Sequence, residues 1–227
     1  MTHDPTKLRR FIAHYWGKIS MIDDFVGRIL SELEQSGDRD NTVVILTSDH
    51  GDFAGNHRLL FKNAFLYDDL LRVPLIISWP ARFQPGVIDA LVEEIDVAAT
   101  MLRLGGLEVH QGVQGEDLLP LIDGKVRKVR DAAYAEAVSQ RSIRTREWKL
   151  VHYQDKPYGE LYNLVSDPHE LVNLYDDPAY AHVRAELRAI LVDRMTSLDE
   201  KLHSPVSRIA LEDHRGPGQP PLTLPYI

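Results

Sequence analysis

Cysteine is absent from the 227-residue sequence, which excludes disulfide staples, thiolate metal sites and a cysteine nucleophile. Basic residues are the minority, 26 against 34 acidic, for a formal charge of −8. With no Lys/Arg-rich run, the chain has no electrostatic footprint for nucleic acid or an anionic membrane. No apolar stretch approaches the ~18 residues that span a bilayer, and Met1–Arg10 is too polar for a signal peptide. As written, the chain reads as soluble, in an unspecified compartment. Internal repeats are lacking too. What is present, 44% hydrophobic and 26% charged residues, is the composition of a globular protein with a sizeable core. The length suits one large domain or one and a half smaller ones.

From Leu8 to Leu33 the residues Ile12, Tyr15, Ile19, Ile22, Val26, Ile29 and Leu33 recur at three- and four-residue steps, predicting an amphipathic helix that Ser36-Gly37-Asp38 stops. Thr42–Asp49 is β-branched and apolar without alternation, as expected of a strand covered on both faces in a mostly parallel sheet. Val73–Pro80 reads as a second buried strand, fenced by prolines. Ile95–Leu104 reads as a short helix closed by Gly105-Gly106, before a Gly-rich connection over Gly112–Gly124. Beyond Arg130, Asp131–Ala137, Arg141–Arg146, Trp148–Tyr153 and Glu160–Leu164 look like an antiparallel meander, and Asp177–Met195 like a packed helix with Pro178 in its first turn. The expected division is 1–124 as part of a main α/β domain, 125–196 as a small antiparallel subdomain with its helix, and 197–227 as a Pro-rich irregular tail.

The chemistry concentrates where the first strand ends, in Ser48-Asp49-His50-Gly51-Asp52. Ligands of open α/β folds bind at the carboxyl edge of the sheet. Asp49 and His50 share one cation only if the backbone turns sharply between them, which Gly51 helps to permit. Carboxylate oxygen with imidazole in support suits Ca²⁺, Mg²⁺, Mn²⁺ or Zn²⁺. On spacing alone, an Asp capping the next turn beside an ordinary loop histidine accounts for the pair equally well. Thirteen residues on, Lys62 follows the apolar Leu59-Leu60-Phe61. It is either a cation that neutralises charge on a leaving oxygen or a snorkelling surface lysine. His57 is a candidate substrate contact or a surface histidine. Elsewhere, Asp23 and Asp24 read as a solvated helix face, Glu136 as half of a cross-strand ion pair, and Arg144 with Arg146 as a solvated stripe on one face of a strand.

The run Asn41–Asp52, followed by Lys62 and by Arg72-Val73-Pro74-Leu75-Ile76-Ile77, resembles the sulfatase family. Ile95–Leu102, Gly115–Pro120, Ile143–Leu150, Glu160–Leu164 and Asp167-Pro168 match that family's next landmarks in order, so the resemblance covers roughly residues 10–195. It implies the alkaline phosphatase-like α/β fold and hydrolysis of small-molecule or saccharide sulfate esters. A divalent cation, most often calcium, would be held by Asp49 and His50, with Lys62 on the sulfate. The family also carries an upstream half with two further metal-binding aspartates and a Cys- or Ser-x-Pro-x-Arg nucleophile motif. The sequence has neither; its nearest approach, His203–Arg208, has the wrong spacing. Two ligands also fall short of the roughly six to eight that calcium takes. The expectation is a C-terminal portion of a sulfatase, inactive alone and completed by an N-terminal half or a complementing chain, with an apolar face that such a partner would cover. A phosphoester or phosphonate ester hydrolase of the same superfold and a non-catalytic binding or assembly module are the alternatives.

Overall fold

The computed structural model describes residues 4–110 and 112–202. The expected Pro-rich tail from residue 203 onward, including His203–Arg208, lies outside the described residues. The elements in order are α1 (Pro5–Ser36), β1 (Val44–Thr47), α2 (Asp68–Leu71), β2 (Leu75–Ser78), α3 (Ile95–Leu104), α4 (Leu119–Ile122), β3 (Ala133–Ala137), β4 (Gln140–Arg144), β5 (Trp148–Tyr153), β6 (Gly159–Asn163) and α5 (Ala181–Leu202). They fall into two compact units, one of residues up to Val92 with Pro120–Leu191, the other of Glu93–Leu119 with the chain from Val192.

In the first unit, Asp4 caps α1 by accepting the Thr6 and Lys7 amides, and Gly37 ends it in the left-handed conformation (φ 79°) that a Cβ disfavours. The predicted amphipathic helix is there, yet no residue of α1 is buried. Trp16, Ile19, Ile22, Phe25 and Ile29 are exposed. β1 and β2 pair antiparallel, Val44 opposite Ser78 and Thr47 opposite Leu75. The described chain is therefore α/β, but a mostly parallel sheet is not part of what it shows. An apolar run reports that a strand is to be covered and carries no information on its direction. Nor are these strands buried on both faces: Ile76 is exposed in a ribbon of only two strands.

The meander expected after Arg130 is a four-stranded antiparallel sheet in the order β3-β4-β5-β6. Ile143, Leu150 and Leu161 are level in the register and pack with Tyr175, Leu187 and Leu191 as the core beneath α5. The helix expected from Asp177 is there as α5, but it begins at Ala181: Asp177 accepts the Ala179 amide, and Pro178 opens a 3₁₀ turn that leads into it. Glu136 faces Arg141 across β3 and β4 at 3.0 Å, the expected cross-strand pair.

In the second unit, α3 occupies its predicted span. The buried Asp96 accepts the backbone amides of Glu93 (2.7 Å) and Glu116 (2.8 Å), and Thr100 Oγ1 accepts that of Leu118 (3.0 Å). These bonds pin the Gly-rich connection to the helix.

Candidate functional site

β1 delivers Asp49 and His50 at its carboxyl end, as the sequence predicts. The Asp49 carboxylate is 82% exposed, its Oδ1 accepts the His50 amide (3.0 Å), and its Oδ2 lies 3.5 Å from His50 Nε2. His50 Nδ1 is 2.8 Å from the Gly51 carbonyl oxygen. A carbonyl only accepts, so Nδ1–H donates to it and Nε2 is the ring nitrogen that faces the carboxylate. A carboxylate oxygen beside an imidazole nitrogen at the end of a strand is a donor set that suits a shared divalent cation. The pair fits such an ion as two of its ligands; among the described residues no group of three or more His, Asp or Glu side chains gathers to hold a metal.

Gly51 also serves a close approach to α2. Its amide donates to the Leu70 carbonyl (2.9 Å), and a Cβ at this position would lie 1.9 Å from the Asp69 carbonyl oxygen. Glycine is required because the loop rests directly on α2. Beyond it, the fully buried Phe53 anchors the loop, with its ring edge-on to His57, Phe65 and Tyr67. Ala54, His57, Arg58 and Phe61 all take positive φ, between 46° and 60°. Such a density of sparsely populated conformations in non-glycine residues is sustained only where surroundings enforce it, and it is common at functional loops.

His57 is 11% exposed, with Nε2 3.4 Å from Asp69 Oδ2 and its ring stacked on Tyr67 at 3.9 Å. Asp69 Oδ1 also accepts the Asn56 side-chain amide at 2.5 Å. Lys62 is exposed just past the loop; no hydrogen bond or ion pair joins it to Asp49 or His50 among the described residues. The structure thus brings Asp49 and His50 together, turns His57 toward α2, and leaves the Lys62 ammonium in solvent.

Behind α2 stands a group that periodicity did not flag. Lys149 is completely buried, with Nζ 3.0 Å from Asp68 Oδ1 and 2.6 Å from Glu170 Oε1. Arg144, expected on a solvated stripe with Arg146, instead places Nε 3.3 Å from Asp68 Oδ2, while Arg146 pairs with Asp89 at 2.7 Å. Arg144 and Lys149 face each other in register, and two adjacent cations on a sheet need an acid between them. Burial pushes the Asp68 carboxyl up, but Lys149 and Arg144 more than reverse this and hold it below its ordinary range. Glu170 stays above its ordinary range, because burial outweighs Lys149 and the Asp68 amide. The sequence signals were a lysine inside the apolar Trp148–Val151 run and a glutamate just after Asp167-Pro168.

Comparison with known proteins decides the family. Residues 55–197 match the model described as N-sulphoglucosamine sulphohydrolase, C-terminal, and residues 2–107 match the one described as Sulfatase. The chain belongs to the sulfatase family. An N-acetylglucosamine-6-O-sulfatase of Bacteroides thetaiotaomicron is 33% identical over 199 residues, which are 82% of this chain and 36% of that protein. A structure solved in complex with its substrate D-glucosamine-2-N,6-O-disulfate superposes with a TM-score of 0.73 at 32% identity, covering 84% of this chain and 41% of the other. The phosphonate monoester hydrolase of Agrobacterium radiobacter gives a TM-score of 0.71 at 30% identity, covering 81% of this chain and 41% of that one. The sulfatase-family chain described here spans about two fifths of the length of these relatives and corresponds to their C-terminal part. No helix among its described residues is long and apolar enough to cross a membrane.

Proposed function

We propose that this chain is the C-terminal portion of a metal-dependent hydrolase of sulfate esters, of small molecules or saccharides. The nucleophile would come from an N-terminal half, on the same polypeptide or a complementing one. The observation that carries the reading is the approach of Asp49 Oδ2 to His50 Nε2, 3.5 Å apart, just past the end of β1. Asp49 and His50 would hold a divalent cation, calcium in the first instance, with magnesium, manganese or zinc as alternatives. Bound there, the ion would polarise the sulfate and orient the nucleophile. The Lys62 ammonium would neutralise charge developing on the sulfate and leaving oxygens. His57 is the remaining candidate contact to substrate, although its side chain is 11% exposed and faces Asp69.

In the completed enzyme β1 and β2 would belong to a mostly parallel, alkaline phosphatase-like sheet, and the N-terminal half would cover the apolar face of α1. Residues 1–124 would then be the chain's share of the main domain, 125–196 the small subdomain and 197–227 a tail. The similarity to a phosphonate monoester hydrolase supports a second reading, in which the same Asp-His pair and lysine serve a phosphonate or phosphate ester.

The test is to read the frame upstream of Met1 for two aspartates and a Cys/Ser-x-Pro-x-Arg motif. The completed protein is then assayed on aryl sulfate, aryl phosphate and aryl phosphonate esters with and without calcium. Metal-dependent sulfate turnover is expected. A preference for the phosphonate moves the assignment to the second reading, and no turnover of any ester leaves a non-catalytic module.

A further inference from the structure

Asp68, Lys149 and Glu170 come from three separate segments and meet in the interior of the first unit. Glu170 Oε2 accepts the Asp68 amide at 2.6 Å, across 102 positions of sequence, and Glu170 itself is held at φ 56°. A buried ion cluster of this kind adds little net stability, since desolvation offsets most of the Coulomb gain; its best-attested use is to specify one arrangement. The arrangement specified here is that of α2. Asp68 is gripped from the sheet side by Lys149, Arg144 and Glu170. The next two residues face the loop, with the Asp69 carboxylate on Asn56 and His57 and the Leu70 carbonyl on the Gly51 amide. Gly51 directly follows the Asp49-His50 pair.

We propose that Lys149 is a positioning residue for the cation- and sulfate-binding loop: with Glu170 it fixes Asp68, and through α2 it fixes the Gly51 backbone and the His57 ring, so that Asp49 and His50 are presented together at the end of β1. The inference rests on the reading of residues 49–62 as the reaction-facing loop. Lys149 touches neither ester nor cation in this scheme; it acts through a four-residue helix turn whose two sides serve different partners.

Amide hydrogen exchange followed by peptide mass spectrometry tests this on the full chain at neutral pH, without metal or ester. The variants are Lys149→Met and Glu170→Gln; the second keeps the shape and an acceptor for the Asp68 amide while removing one charge, and it decides the matter if the first does not fold. The expected result is exchange about ten-fold faster in peptides covering residues 49–60, the scale of losing a charge-assisted tie, with peptides covering β4–β6 changed less than about two-fold. Equal acceleration in both regions means that the cluster only holds the sheet together, and unchanged exchange in the loop means that it transmits nothing; either overturns the proposal. Because no ester is turned over, this failure is separate from failure of the hydrolase reading, which would appear as an inactive completed enzyme whose loop still responds to Lys149→Met.

Discussion

The first unit holds two regions of similar apolar content and opposite fate. In the small sheet, Ile143, Leu150 and Leu161 are fully buried beneath α5, and even Lys149 on the opposite face is closed off from water. In α1 the periodicity is just as regular, yet Trp16 is 64% exposed and Phe25 52%. Amphipathic patterning states that a face is to be covered, and among the described residues the small sheet has its own cover whereas α1 has none. This contrast separates the parts of the chain whose stability is internal from the parts that, on our reading, await the other half of a sulfatase.

Breaking the comparison at its stable side gives the largest effect. Leu150→Ala removes a side chain with no exposure from the core under α5 and should cost about 2–5 kcal/mol, read as a fall in the urea midpoint. At the junction of the two regions, Gly51→Ala forces the loop off α2, since the added carbon would lie 1.9 Å from a backbone oxygen. A loss of roughly 1–3 kcal/mol is expected, with exchange in residues 49–60 accelerating as well.

The ion cluster sharpens the contrast through pH. The folded value of Asp68 lies below its unfolded value, about 3.9, so its contribution is complete above that pH and is lost as pH falls through the folded value. Glu170 has the opposite sign: its folded value is raised, so ionising it costs stability as pH climbs from about 4.3 through the folded value. Urea midpoints across this range should lose their acid-side fall in Asp68→Asn and their fall at rising pH in Glu170→Gln. Unaltered profiles in both would count against the cluster's ionised state.

The smallest change in stability is expected on α1. Ile22→Ser with Phe25→Ser should change the unfolding free energy from urea titration by less than about 0.5 kcal/mol, because both residues are more than half exposed. Sedimentation should nevertheless show less self-association, and a large destabilisation would contradict the idea that this face lacks a cover among the described residues.

Much of this was readable in the sequence because it is local. The 3.6-residue period over Leu8–Leu33 announces α1, and short runs between polar turns announce the meander. The placement of Asp49 and His50 at the end of β1 is legible because the strand and the two residues are contiguous. Direction and partnership are not local. The apolar runs of β1 and β2 are compatible with either strand direction, and Arg144 looks solvated until Asp68, 76 positions away, is folded against it. Gly51 advertises a turn, but that its lack of a side chain also serves a close approach to α2 shows only in the fold. Lys149 is hidden for the same reason: a charge on a strand normally marks a wet face, and only the fold supplies the two carboxylates that make a dry one tolerable.

The most direct test of the central claim is the initial rate of calcium-dependent aryl sulfate hydrolysis by this chain completed with its N-terminal half, comparing wild type with Asp49→Ala. The account predicts a fall of at least about 10²–10³-fold, the scale of removing a principal electrostatic stabiliser of the transition state, with the urea midpoint unchanged because the carboxylate is exposed. An Asp49→Ala enzyme that turns over at the wild-type rate would contradict it.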